Sequence, residues 1–145
     1  MSTYSIRAVR IAALALALWV TPGAGQAPSR ITPLIGTWRF VRYVVWDSAG
    51  SPQELLGPHP VGYVVFDATG RAFIQLMRAD DRTSLGAYFG RYTVNAAART
   101  VNIRVEGSNI PDYIGTVQVR PYRLRGDTLV LGVVKDYQAT LVRVR

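Results

Sequence analysis

The 145 residues contain no cysteine, one histidine (His59) and one lysine (Lys135). Without cysteine there is no disulfide and no acylated lipoprotein N-terminus, so an exported product must hold together by packing alone. A zinc site of nitrogen and sulfur ligands is excluded by the same counts. A nucleophile–histidine arrangement has only His59 to draw on, and His59 sits between two prolines in "GPHPV", the setting of a surface turn. Acids are few, nine in all. The one adjacent pair, Asp80-Asp81, falls in a polar loop, and nothing around it supplies an oxygen cage for a cation. No glycine-rich phosphate loop stands at a strand-to-helix junction. These counts lead us to expect no metal and no cofactor, and to assign no catalytic residue.

Long apolar runs are missing as well. The longest, residues 11–20 ("IAALALALWV"), has ten residues, against the roughly 20 that a spanning helix needs. It follows Arg7 and Arg10 and precedes the small, breaker-rich "TPGAGQA". A basic start, a short apolar core and a small-residue exit together read as a secretory signal peptide over residues 1–27, with Gly25-Gln26-Ala27 as the small-x-small cleavage site. The expectation is a periplasmic or secreted mature chain, residues 28–145, forming one domain with no integral membrane segment.

The net charge is +8, with 17 basic and nine acidic residues. Two of the cations lie in the leader. The others are spread along the chain rather than clustered, and export removes nucleic acid as a partner. Two readings of this charge remain open: a solvated arginine-rich exterior, or attraction to an anionic envelope surface or an acidic ligand.

After "PSRITP" the pattern has period two. Strands are expected over 36–46, 61–67, 71–77, 87–94, 100–106, 116–124, 128–134 and 139–144. "DATG" and Arg125-Gly126-Asp127 supply tight turns. No helical period appears after residue 30; "SPQELLG" has room for one helical turn at most. Short turns make sequence neighbours spatial neighbours. Eight such strands close as a barrel or stack as a sandwich, and the barrel removes the exposed edges that a disulfide-free sheet would otherwise have to protect. The fold class expected is all-β, an eight-stranded antiparallel up-and-down barrel, whose interior holds side chains or one small ligand.

Gly36-x-Trp38 opening the first strand resembles the signature of lipocalins and the wider calycin superfamily. More closely, the chain resembles the bacterial and fungal lipocalin-like domain family. The matching stretches are "LIGTWRFVRY" (34–43), "LGPHPVGYVVFDATGR" (56–71), "QLMR" (75–78), "AYFGRYTV" (87–94), "VEGS" (105–108) and "GTVQVRPYRLRGDTLVL" (115–131). The resemblance implies that Trp38 covers the closed end of the barrel with an arginine across its indole face. By its place in "LVRVR" that arginine is Arg145, with Arg143 as the alternative. Gly36 would let the backbone pass close beneath the ring. Gly36, Trp38 and Arg145 are thus expected to close the barrel rather than to do chemistry. Members of that family carry a longer, partly helical insertion where this chain has only residues 79–86, which implies a more open mouth or a smaller cavity here.

The polar and aromatic residues inside strands are the candidates for a ligand site: Tyr63, Gln75, Met77, Tyr92, Arg104, Glu106, Gln118, Arg120 and Tyr122. One phase of each strand turns them inward. The other sends them to water and fills the core with Val101, Ile103, Val105, Val117 and Val119. A buried arginine would need a carboxylate, for which Glu106 is nearest in strand order, or an anionic ligand. Tyr63, Phe73, Met77, Tyr88, Tyr113 and Tyr137 offer an apolar lining with hydroxyl tips. Three functions compete. The first is binding of a small, largely apolar molecule, with or without an acidic group. The second is a cyclase or isomerase using Tyr92 or Glu106 as proton carrier. The third is a filled, non-catalytic barrel docking to the envelope.

Overall fold

A computed structural model describes residues 33–80 and 84–145; the leader assigned to residues 1–27 and the Asp81 side of the acidic pair lie outside them. Nine strands form one sheet: β1 (Gly36–Trp46), β2 (Pro52–Gln53), β3 (Val61–Phe66), β4 (Arg71–Met77), β5 (Ser84–Asn95), β6 (Thr100–Ser108), β7 (Val117–Arg125), β8 (Thr128–Gly132) and β9 (Tyr137–Arg143). Strands β1 and β3 to β9 pair antiparallel in sequence order, and β9 returns to β1, which closes an eight-stranded up-and-down barrel. The two-residue β2 adds to the far end of β1, Trp46 opposite Pro52. It occupies the stretch read as a possible helical turn.

Each strand shows its apolar residues to the interior on alternate positions. Val64 and Phe66 on β3, Ala72, Ile74 and Leu76 on β4, and Val101, Ile103 and Val105 on β6 are buried. They meet Leu129 and Leu141 from β8 and β9 around Trp38. Each large apolar side chain buried in this way contributes about 1.5–3 kcal/mol. β1 cannot keep strict alternation over eleven residues. Its register against β9 shifts between Phe40 and Arg42, a bulge that turns Tyr43 to the interior after Phe40. The N-terminal end of β1 and the C-terminal end of β9 thus define a closed base. The opposite end is ringed by the β1–β3, β4–β5, β6–β7 and β8–β9 connections. A single 3-10 turn, Pro111–Tyr113, lies in the third of these.

Candidate functional site

At the base Trp38 is fully buried. Its indole Nε1 donates to the Leu34 carbonyl at 2.8 Å, which ties the lead-in segment across the barrel floor. The guanidinium over the indole is that of Arg143, 4.1 Å from the ring centroid, not that of Arg145. Register decides this. Arg143 stands directly opposite Trp38 on the neighbouring strand and so shares its face. Its Nη1 donates to the Ile35 carbonyl and its Nη2 to the Pro33 carbonyl, each at 2.7 Å. Arg145 lies two residues beyond and pairs with Asp127. Gly36 is needed for a different neighbour than expected: a Cβ there would stand 2.5 Å from Arg143 Nη1, at φ +137°. The glycine makes room for the arginine rather than for the indole.

Above this plug the barrel is hollow. A cavity of about 440 Å³ falls within the range of about 300–1,000 Å³ typical of small-molecule sites. Its floor and walls are apolar: Phe40, Val64, Phe66, Ile74, Ile103 and Leu131. Toward the mouth four tyrosines from different elements converge on one cation. Tyr43 and Tyr137 stack with centroids 6.3 Å apart, and Tyr88 and Tyr113 meet edge-on at 5.7 Å. The Arg120 guanidinium lies over the Tyr137 ring, 5.1 Å from its centroid. Trp46, Ile110 and an exposed carboxylate, Asp136, complete the rim.

Burial dominates the titration of this group. It pushes the phenol of Tyr137 up to about 12 and raises that of Tyr43. It works against the charge of Arg120, but the phenol oxygens of Tyr88, Tyr137 and Tyr113 outweigh it and hold the guanidinium above its ordinary range. Arg120 Nη2 donates to Gln118 Oε1 at 3.0 Å. Among the described residues no carboxylate lies within ion-pair distance of Arg120. The Tyr137 hydroxyl is shut from solvent, with Arg120 as its polar neighbour.

Of the nine ligand-site candidates, Arg120 alone lines the cavity. Gln118 and Tyr122 flank it on the interior face of β7, where Gln118 orients it and Tyr122 packs on the core. Tyr63 and Gln75 face outward on β3 and β4, and Met77 lies outside the cavity lining. Arg104 and Glu106 are also outside, and Glu106 pairs with Arg71 at 2.8 Å and Arg91 at 3.6 Å. It is therefore not the partner of the interior arginine. Tyr92 points inward but at the base, stacked edge-on against Phe66 at 5.0 Å, its hydroxyl donating to the Asp67 carbonyl at 2.9 Å. Neither proton carrier proposed from the sequence thus reaches the cavity. His59 is exposed in the β2–β3 connection, and Asp80 pairs with Arg78.

The two phases weighed for β6 and β7 divide between the strands. Val101, Ile103 and Val105 face in, whereas Val117 and Val119 are exposed and Gln118, Arg120 and Tyr122 take the interior. Of the aromatic lining candidates, Tyr88, Tyr113 and Tyr137 line the cavity; Phe73 stacks on Phe89 outside, 6.2 Å apart. Tyr43 and Asp136 carried no signal in the sequence. Tyr43 depends on the bulge in β1, and Asp136 on where β9 begins.

A closed antiparallel barrel plugged at one end by a tryptophan–arginine pair and hollow at the other is a lipocalin-like β-barrel. The family model described as the lipocalin-like domain matches residues 79–141, so over β5 to β9 the chain carries a lipocalin-like domain. No curated protein matches the chain. Among the described residues no helix is long and apolar enough to cross a membrane.

Proposed function

We propose that this is an exported lipocalin-like barrel that binds one small, largely apolar molecule inside it. The observation that carries the reading is the cavity of about 440 Å³ with an apolar floor, opening away from the Trp38 plug. A barrel whose role is purely structural has no need of such a space, since leaving apolar volume unfilled costs stability. A cyclase or isomerase reading has less support, because Glu106 is ion-paired outside and Tyr92 is engaged at the base. Export rests on the leader-like residues 1–27.

The test uses a neutral apolar dye, N-phenyl-1-naphthylamine, whose emission rises in a dry pocket. Gly86 lines the cavity, and a Cβ there meets its nearest neighbour, Leu76 Cδ2, at 3.4 Å. Gly86→Phe should therefore fill the mouth side with little strain on the backbone. The dye should bind the wild type and lose at least tenfold in affinity in the variant. Equal binding by both would place the dye elsewhere, and no binding by the wild type to this dye or to the aliphatic series below would end the reading.

A further inference from the structure

Resting on that reading, we infer that the ligand is an amphipathic monocarboxylic acid, its carboxylate held by Arg120 and the tyrosine hydroxyls and its tail directed to the apolar floor. In the polar part of the cavity donors outnumber acceptors: the phenol oxygens are turned to Arg120, and Asp136 lies at the rim. Arg120 brings five N–H groups; one donates to Gln118, and the guanidinium also faces the phenol oxygens of Tyr88, Tyr113 and Tyr137. Tyr43, Tyr88, Tyr113 and Tyr137 bring four hydroxyls; with their oxygens turned to Arg120, those of Tyr88, Tyr113 and Tyr137 keep their protons to donate. A group that only accepts, with two oxygens side by side, completes this set; an ionised carboxylate is such a group.

Charge points the same way. A guanidinium drawn partly out of water without a counter-ion is costly, and an anionic ligand removes that cost. One fixed cation balances one negative charge, which favours a carboxylate over a doubly charged phosphate. Asp136, the other charged residue of the lining, stays exposed at the rim and leaves Arg120 unpaired.

Position sets the ligand's direction. β8 pairs up to Leu131, opposite Tyr122, and ends at Gly132. Arg120, two residues before Tyr122, therefore lies beyond the end of β8 on the mouth side, over the Tyr137 ring where β9 begins. The deeper walls, from Phe40 to Leu131, carry no charge. The head group thus sits below the rim and the tail goes down toward the Trp38 plug.

The test compares decanoate with decanol, equal in tail and different in head, as competitors of the bound naphthylamine dye. In the wild type decanoate should compete about 10- to 100-fold better than decanol, the span set by a charge-assisted hydrogen-bonded pair. Arg120→Gln should erase that preference while decanol and the dye bind as before. Tyr137→Phe should weaken decanoate about three- to tenfold and leave decanol unchanged. Arg120→Lys, with the charge but not the planar fork, should restore part of the preference. The acid–alcohol comparison in the wild type needs no variant, so it stands if Arg120→Gln fails to fold. Equal competition by acid and alcohol, or an unaltered preference in Arg120→Gln, overturns the carboxylate assignment while the pocket remains. Failure of dye, acid and alcohol alike removes the pocket itself.

Discussion

Gly36 and Arg143 should behave as one unit, and a double-mutant cycle measures it. Arg143→Ala removes the cation over Trp38, about 0.5–2 kcal/mol, and two charge-assisted donations to the Ile35 and Pro33 carbonyls. Those carbonyls lie near the surface and regain water in part, so we expect a total loss of about 2–4 kcal/mol. Gly36→Ala has two costs. The first is backbone strain at φ +137°, about 1–3 kcal/mol, which no change at Arg143 relieves. The second is the contact of the new methyl with Arg143 Nη1, which forces the guanidinium off its carbonyls and forfeits part of what Arg143 contributes. In the Arg143→Ala background only the first cost remains. The double variant should therefore be more stable than the sum of the singles implies, by about 1–2 kcal/mol. Urea unfolding followed by tryptophan emission reads this directly, since Trp38 is buried and reports on the base. Additivity within about 0.5 kcal/mol would mean that the two positions do not share one interaction. Gly36 would then not be making room for Arg143.

Three further expectations can be checked at the bench. Tyr92→Phe removes the donation to the Asp67 carbonyl but keeps the ring against Phe66; it should cost about 1 kcal/mol in urea unfolding and leave dye binding unchanged. Tyr137 has a folded-state value of about 12, raised above its ordinary value of 10.0. Its contribution is thus complete below about pH 10 and disappears as pH climbs through 12; ultraviolet titration of Tyr137→Phe against the wild type should show one late phenol missing. The proposed export with cleavage after Ala27 predicts that intact-mass measurement of the periplasmic or culture fraction gives a chain starting at Pro28, and a full-length mass there would contradict it.

Most of the barrel is legible in the sequence because strand residues and turn residues alternate with little ambiguity. The stretch 36–46 coincides with β1 and 71–77 with β4. The turn at Asp67 is held as its sequence suggests: its carboxylate accepts from the backbone N–H groups of Thr69 and Arg71, which holds its pKa below the ordinary carboxylate value. The β5 and β6 strands run further than expected, to Ser84 at one end and Ser108 at the other. Neighbours in a closed sheet pair polar loop-like residues that a single strand would release to water. The two-residue β2 escaped notice because a pairing to β1 across a proline leaves no pattern of its own.

The cavity was harder to see because period two gives a face but not which face. In "VGYVVF" and "RAFIQLM" both phases are largely apolar, and the outer one carries Tyr63 and Phe73, 47% and 45% exposed. Composition cannot separate them. In β7 a local clue was present. Across the tight Gly126-Asp127 turn, Leu124 stands opposite Leu129, which is fully buried. Leu124 is flanked by Arg123 and Arg125, so of the three it must be the one that faces in. With no bulge along β7, period two then carries the interior face back to Tyr122, Arg120 and Gln118. The outer face falls to Val119 and Val117, against the usual rule that valine is buried and arginine exposed. On the carboxylate reading proposed above, the inversion places Arg120 where the ligand's head group needs it. On that reading the valines, 54% and 45% exposed, are the outer face that the inward turn of Arg120 leaves behind.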